Sequence, residues 1–319
     1  MKKSVKATML VMLVVIMFLL SSCKGGIPGG DKPSDTAAAA RALQTGTQGV
    51  QIQLLNNLPP NTVYDQTELV ALVEVKNKGN YDLGPQECFV QITGFDTNII
   101  HGGMNIPQSC AEGVNILEGK TLYNSEGTFN QLEFSSSSIR LPEGVFEYSP
   151  TLNFLTCYNY HTRANPAICV DPLFYQVTAQ QKTCTPSNVA LGGGQGAPVG
   201  VSSIGVDMVG NKAVFEINVA NQGNGRVISP YADIRNCGQA SLHYTDLDKI
   251  FYTVDLSGGS LVNCKPSDGA VRLVNGKGKI VCSFNIPGTS AYETPLMIDL
   301  NYGYVQSQSK RISIIKTPE

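Results

Sequence analysis

The side chains with the widest chemical range in this 319-residue sequence are nine cysteines and three histidines. The histidines, His101, His161 and His243, stand far apart in the chain, and no Gly-x-Ser-x-Gly elbow, His-Glu-x-x-His helix or kinase-like set accompanies them. Cys157, His161 and Cys169 give the spacing C-x3-H-x7-C, which lacks the second close ligand pair of a zinc finger. A nucleophile from the run Ser135 to Ser138 would need a base and an oxyanion site, and Asp246 with Asp248 in a turn-rich segment reads as solvated loop charge. The glycines from Gly192 to Gly196 are not followed by the Gly-Lys-Ser/Thr ending that grips phosphate, so a linker is the simpler reading. No catalytic set, metal or cofactor is expected.

The cysteines have a better use. Lys2, Lys3 and Lys6 precede fourteen uncharged, mostly apolar residues from Ala7 to Leu20, fewer than the roughly 20 a spanning helix needs. This is the pattern of a secretory signal peptide. Leu20-Ser21-Ser22-Cys23 follows and resembles the lipobox of prokaryotic lipoproteins, which implies cleavage before Cys23 and a lipid on its thiol. An exported chain meets an oxidising compartment, where an even set of thiols forms bridges. Eight cysteines remain: Cys88, Cys110, Cys157, Cys169, Cys184, Cys237, Cys264 and Cys282. They permit 105 pairings, so proximity is the guide. It suggests Cys88 with Cys110, Cys157 with Cys169 across a hairpin around Arg163-Ala164-Asn165-Pro166, and Cys264 with Cys282. Cys184 and Cys237 then either join across the linker or find other partners.

Removal of residues 1–22 leaves 20 basic and 25 acidic side chains with no basic run, which argues against a nucleic-acid partner. Residues 23–48 are rich in Gly, Pro, Ser, Thr and Ala and read as a flexible tether.

Beyond the tether the chain repeats at an offset of 144 residues. Val70, Val75, Asn77, Gly79 and Asn80 return as Val214, Val219, Asn221, Gly223 and Asn224. Alternation puts Leu69, Ala71, Val73 and Val75 on one face, and Ala213, Phe215, Ile217 and Val219 on the equivalent face, as half-buried strands require. Gly210-Asn211 and Asn275-Gly276 suit tight hairpins. An all-β chain with this punctuation predicts two tandem immunoglobulin-like β-sandwich domains, residues 49–191 and 199–319, joined by a linker at 192–198.

The strands ending in Val75-Lys76-Asn77-Lys78-Gly79 and Val219-Ala220-Asn221-Gln222-Gly223 resemble the V-x-N-x-G strand of immunoglobulin-like domains of the CARDB type, found in archaeal and bacterial surface proteins. Cys157-Tyr158-Asn159-Tyr160-His161-Thr162-Arg163 through Cys169-Val170-Asp171-Pro172, with Gly193 to Val199, also resembles archaeal surface proteins. The resemblance spans roughly residues 49–317 and implies adhesion, envelope assembly or polymer binding. The first place to look for a binding surface is Tyr158, Tyr160, His161 and Arg163, where rings alternate with polar groups. The weightier alternative is that Tyr158 or Tyr160 packs in the core while His161 and Arg163 are turn surface. The sequence therefore predicts a non-catalytic, lipid-anchored surface module whose partner is an envelope protein or surface polymer. The competing class is an envelope enzyme, or its accessory subunit, with a site between the sandwiches.

Overall fold

The computed structural model describes residues 45–176, 181–236, 238 and 242–318, so Cys23 and Cys237 lie outside the described residues. The described residues belong to one compact unit. In chain order its first half holds strands β1 Val50–Leu54, β2 Thr62–Tyr64, β3 Val70–Asn77, β4 Cys88–Thr93, β5 Ile100–His101, β6 Gln108–Ser109, β7 Phe129–Ser135, β8 Ser138–Ile139, β9 Glu147–Tyr148, β10 Thr151–Ala164 and β11 Ala167–Val170. The second holds β12 Val189–Ala190, β13 Val199–Val209, β14 Lys212–Asn221, β15 Arg226–Ile228, β16 Lys249–Leu256, β17 Ser260–Lys265, β18 Ala270–Arg272, β19 Lys277–Asn285, β20 Tyr292–Arg311 and β21 Ser313–Ile315.

The fold is all-β, as the alternation predicts. Ala71, Val73 and Val75 of β3 and Ala213, Phe215, Ile217 and Val219 of β14 are the buried sides of their strands. Gly210 takes a positive φ between Val209 and Lys212, which pair as a two-residue hairpin. Asn275 and Gly276 both take positive φ, and the turn they make sends β18 and β19 into different sheets. The sheets run β1-β3-β7 and β12-β13-β14-β19-β17, with the central sheet ordered β18-β16-β20-β10-β4-β6. β2 and β9 flank β21 in a small sheet near the carboxyl end.

The central sheet draws strands from both sides of residues 192–198, so the two halves are not independent sheets. β10 and β20 run antiparallel from Thr151↔Arg311 to Ala164↔Ile298. Their register encodes the repeat: Tyr158 faces Tyr304, Tyr160 faces Tyr302, and Asn159 faces Gly303 between them. Adding 144 exchanges the first two pairs, so a pseudo-twofold axis passes through the Asn159–Gly303 pair. The expected tether is already fixed at Gly46, whose N–H bonds Gly193 O at 2.6 Å while its carbonyl accepts from Gly196.

The V-x-N-x-G motif finds its physical reason here. Tyr160 donates its hydroxyl proton to Asn77 Oδ1 at 3.1 Å and accepts the Tyr81 N–H at 3.3 Å. Asn77 Nδ2 donates to Tyr81 O, and Gly79 N–H returns to Asn77 Oδ1. In the second copy Tyr304 donates to Asn221 Oδ1 at 2.9 Å and accepts the Gly225 N–H at 2.8 Å. Asn221 Nδ2 donates to Gly225 O, and Gly223 N–H bonds Asn221 Oδ1. A Cβ at Gly79 would fall on the Tyr160 hydroxyl, and one at Gly223 on that of Tyr304. The asparagine ties the turn and the glycine leaves room for the ring.

Disulfides join Cys88 to Cys110, Cys169 to Cys184 and Cys264 to Cys282, and Cys157 is also disulfide-bonded. Bridges of this kind persist outside the reducing cytoplasm, which suggests an extracytoplasmic location. No helix among the described residues is long and apolar enough to cross a membrane. Two expected pairings are corrected: Cys169 takes Cys184, which removes Cys157–Cys169 and Cys184–Cys237. The reason is that Asn165-Pro166 makes no hairpin. β11 continues along β20 in the direction of β10, so Cys157 lies opposite Val305 and Cys169 opposite Glu293. At about 3.3 Å per residue, twelve residues of extended chain hold the two sulfurs tens of ångströms apart.

Removing one hydroxyl of the paired turn locks tests this arrangement. Tyr160→Phe leaves Asn77 Oδ1 with one donor fewer in a buried setting, and Tyr304→Phe does the same to Asn221. Each is expected to lower the unfolding free energy by about 1–3 kcal/mol in urea titrations. A change below about 0.3 kcal/mol in both would show that the turns hold without the tyrosines.

Candidate functional site

Tyr158 and Tyr160, candidates for a binding surface with core packing as the weightier alternative, are core residues. Tyr158 and Tyr160 are buried, together with Tyr302 and Tyr304. Tyr158 sits 5.5 Å from Tyr160 and 5.6 Å from Tyr304 between ring centroids. Burial raises all four phenol pKa values, so each stays a protonated hydroxyl. Gln306 Nε2 reaches Tyr158 Oη at 3.1 Å, and Thr162 Oγ1 lies 2.9 Å from Tyr302 Oη. Gln306 is Thr162 plus 144, so each half bonds across the axis to the other. Two-residue alternation decides the outcome: even-numbered residues of β10 face this core and odd-numbered ones face the other way.

On that other side the two halves have diverged. Leu155, Cys157 and Val305 pack with Phe89, with Ile228 at the end of β15 and with Ala232, Ile234 and Leu242 of the segment after it. Their counterparts at an offset of 144 are the polar Asp299, Asn301 and His161, of which Asn301 is exposed and the other two are half-buried. Two transverse rows of side chains define this face. His161 pairs with Asn301, which pairs with Phe251. Arg163 pairs with Asp299, which pairs with Thr253. Strands about 4.8 Å apart place His161 and Phe251 about 10 Å from each other.

Rings stand at both ends. Tyr81 lies 5.9 Å from the His161 ring, while exposed Tyr231 meets Phe251 edge-on at 4.9 Å. Lys249 Nζ sits 4.9 Å over Phe251. Between the rings, Arg163 Nε donates to Asp299 Oδ1 at 3.1 Å and His161 Nε2 lies 3.5 Å from the same oxygen. Burial lowers the His161 pKa below its ordinary value, with Arg163 acting in the same direction and Asp299 against both. The imidazole is therefore neutral near pH 7 and can donate or accept a hydrogen bond.

This face can hold a flat, polar ligand: rings for apolar faces, and amide, imidazole, guanidinium, carboxylate and hydroxyl groups for hydrogen bonds. His161 and Arg163 were legible from sequence as candidates. Asn301, Asp299, Phe251, Tyr231 and Tyr81 were missed, although the offset itself, setting Asn301 against Cys157, is a signal that could have found two of them. Other sequence candidates have structural work. Ser136 is buried and accepts the Leu69 N–H at 2.8 Å, and Asp248 pairs with Arg226 at 3.0 Å. Among the described residues no three His, Cys, Asp or Glu side chains converge as a metal-holding group.

No family model matches the chain, and no curated protein matches it. Among solved structures it is similar to the secreted serine protease VesC from Vibrio cholerae, at 12% identity and a TM-score of 0.19, over 82% of this chain and 51% of that one. The chain thus spans about half the length of that protein, and a likeness at this level carries no argument about fold or activity.

The lowered His161 pKa sets a pH dependence. The unfolded chain binds the imidazole proton more readily than the folded one, so this contribution is whole above about pH 6.5 and is lost as pH falls towards the folded value. His161→Asn is expected to flatten the decline of Tm on the acid side of about pH 6.5. An unchanged slope would show that the ring is solvated.

Proposed function

We propose that this chain is a non-catalytic, extracytoplasmic module held to a membrane by a lipid on Cys23, and that it binds an envelope polymer through the open face of the central sheet. The disulfides and the signal-like amino terminus support the location. One observation carries the binding reading: at positions related by 144 residues, the apolar Leu155, Cys157 and Val305 pack with the segment after β15, while the polar Asp299, Asn301 and His161, half-buried to exposed, lie beside Phe251 and Tyr231. A saccharide chain suits such a surface, because its C–H faces lie against rings and its hydroxyls bond in-plane amides and carboxylates. Arg163 is matched by Asp299, while Lys249 over Phe251 adds a positive charge at the edge of the face.

Two experiments test the two parts. Metabolic labelling with a lipid precursor is expected to mark the wild-type chain and not Cys23→Ser; equal labelling of both overturns the anchor. The mature chain is expected to co-sediment with envelope polysaccharide, and Phe251→Ala with Asn301→Ala to weaken that binding at least tenfold while leaving the thermal melt intact. A ring contact and a hydrogen bond worth about 1 kcal/mol each make up such a loss. Undiminished binding by the double variant, or co-sedimentation only after protease-sensitive envelope protein is restored, overturns the polymer reading.

A further inference from the structure

We infer that the free edge of β20 is a strand-addition site for an extended, acidic segment of a partner protein. On its side away from β10, β20 pairs with β16 over Leu296–Asn301 and with β15 over Gly303–Val305. From Gln306 to Arg311 it pairs with β10 alone among the described residues.

The hydrogen-bond parity identifies the free groups. Asn159 N–H bonds Glu87 O at 2.8 Å, on the side of β4, so Asn159 and Gly303 form a non-hydrogen-bonded pair between β10 and β20. Even-numbered residues of β20 therefore bond towards β10, and odd-numbered ones point their N–H and C=O away. Leu296 N–H bonding Pro166 O agrees with the first half of this rule. Ser257 N–H bonding Pro295 O, on the β16 side, agrees with the second. Ser307, Ser309 and Arg311 thus present backbone donors and acceptors that no second strand among the described residues takes up.

A cavity of about 660 Å³ opens along the start of this edge. Leu155 and Val305 give it apolar surface, Gln51, Asn224 and Gln308 supply amides, and Arg226 is its one ionisable lining residue. Apolar and polar walls beside a free strand suit an added strand, because the backbone bonds give affinity and its two rows of side chains meet different surroundings. The sign of the charge follows from the side chains. Arg226 is already matched by Asp248 at 3.0 Å, so the sign rests on Lys310 and Arg311, which continue the edge. The same two cations repel an identical edge, so a partner of opposite charge fits better than a second copy.

The probe is a fluorescent peptide alternating Val or Thr with Glu, titrated into the full mature chain. Saturable binding is expected, at least tenfold tighter than for the same peptide with Lys in place of Glu. Ser307→Pro and Ser309→Pro remove outward N–H groups that β10 does not use, a placement edge strands tolerate. Each is expected to weaken binding at least tenfold with the circular dichroism and the envelope-polymer binding unchanged. Should either fail to fold, amide exchange on the unmodified chain decides: the Ser307 and Ser309 amides become protected when the acidic peptide is added. Absence of saturable binding, equal affinity for the Lys peptide, full binding by a folded proline variant, or unprotected amides at saturation each overturns the proposal.

Discussion

Each tyrosine hydroxyl on the inner face of β10 and β20 has left water, and a buried hydroxyl without a partner costs about 1–3 kcal/mol. The protein meets this constraint by building its turns around the rings. Tyr160 and Tyr304 bond the asparagine and a backbone N–H of their own half, whereas Tyr158 and Tyr302 reach Gln306 and Thr162 in the opposite half. Val199 N–H also bonds Tyr302, which pins β13 to the same cluster. One set of phenols thus fixes two turns and the register of the longest strand pair. A slip of that register by one residue would turn every ring towards the other face.

Once β10 and β20 are locked side by side, the outer surface of the central sheet carries two related patches, one on each side of the axis. Both cannot serve the same end, because a covered patch must be apolar and an open one must tolerate water. The segment after β15 covers the patch of Leu155, Cys157 and Val305. The other patch keeps aspartate, asparagine and histidine, yet it also keeps Phe251 beneath an exposed Tyr231, which solvation alone does not call for. A polar sheet face flanked by rings at two ends is the surface that the proposed binding would use.

The local half of this organisation could be read from the residues. Alternation in β3 and β14 assigned their buried faces, and Gly210 and Asn275-Gly276 fell where tight turns need positive φ. The offset of 144 located both halves. What escaped was the pairing of β10 with β20, because antiparallel partners more than a hundred residues apart leave no mark on local periodicity. Asn165-Pro166 misled for a related reason. Proline punctuates a strand only where its missing N–H is needed, and here the strand passes through, with Pro166 O accepting from Leu296. That error carried Cys157 to the wrong partner.

Covering one patch has a geometric consequence for the strand beneath it. β15 reaches β20 for only three residues, because Asn221, Gly223 and Gly225 turn the chain back to meet Tyr304. A longer β15 would have to begin before Gly225, inside the very turn that satisfies the Tyr304 hydroxyl. A Cβ at Gly225 would also fall on Val305 O, so the chain has no room to run closer there. The turn lock and a fully paired β20 therefore compete for the same residues, and the lock wins. The unpaired backbone from Ser307 onward is the cost of ordering the tyrosine core, and Lys310 and Arg311 at its end discourage indiscriminate pairing there.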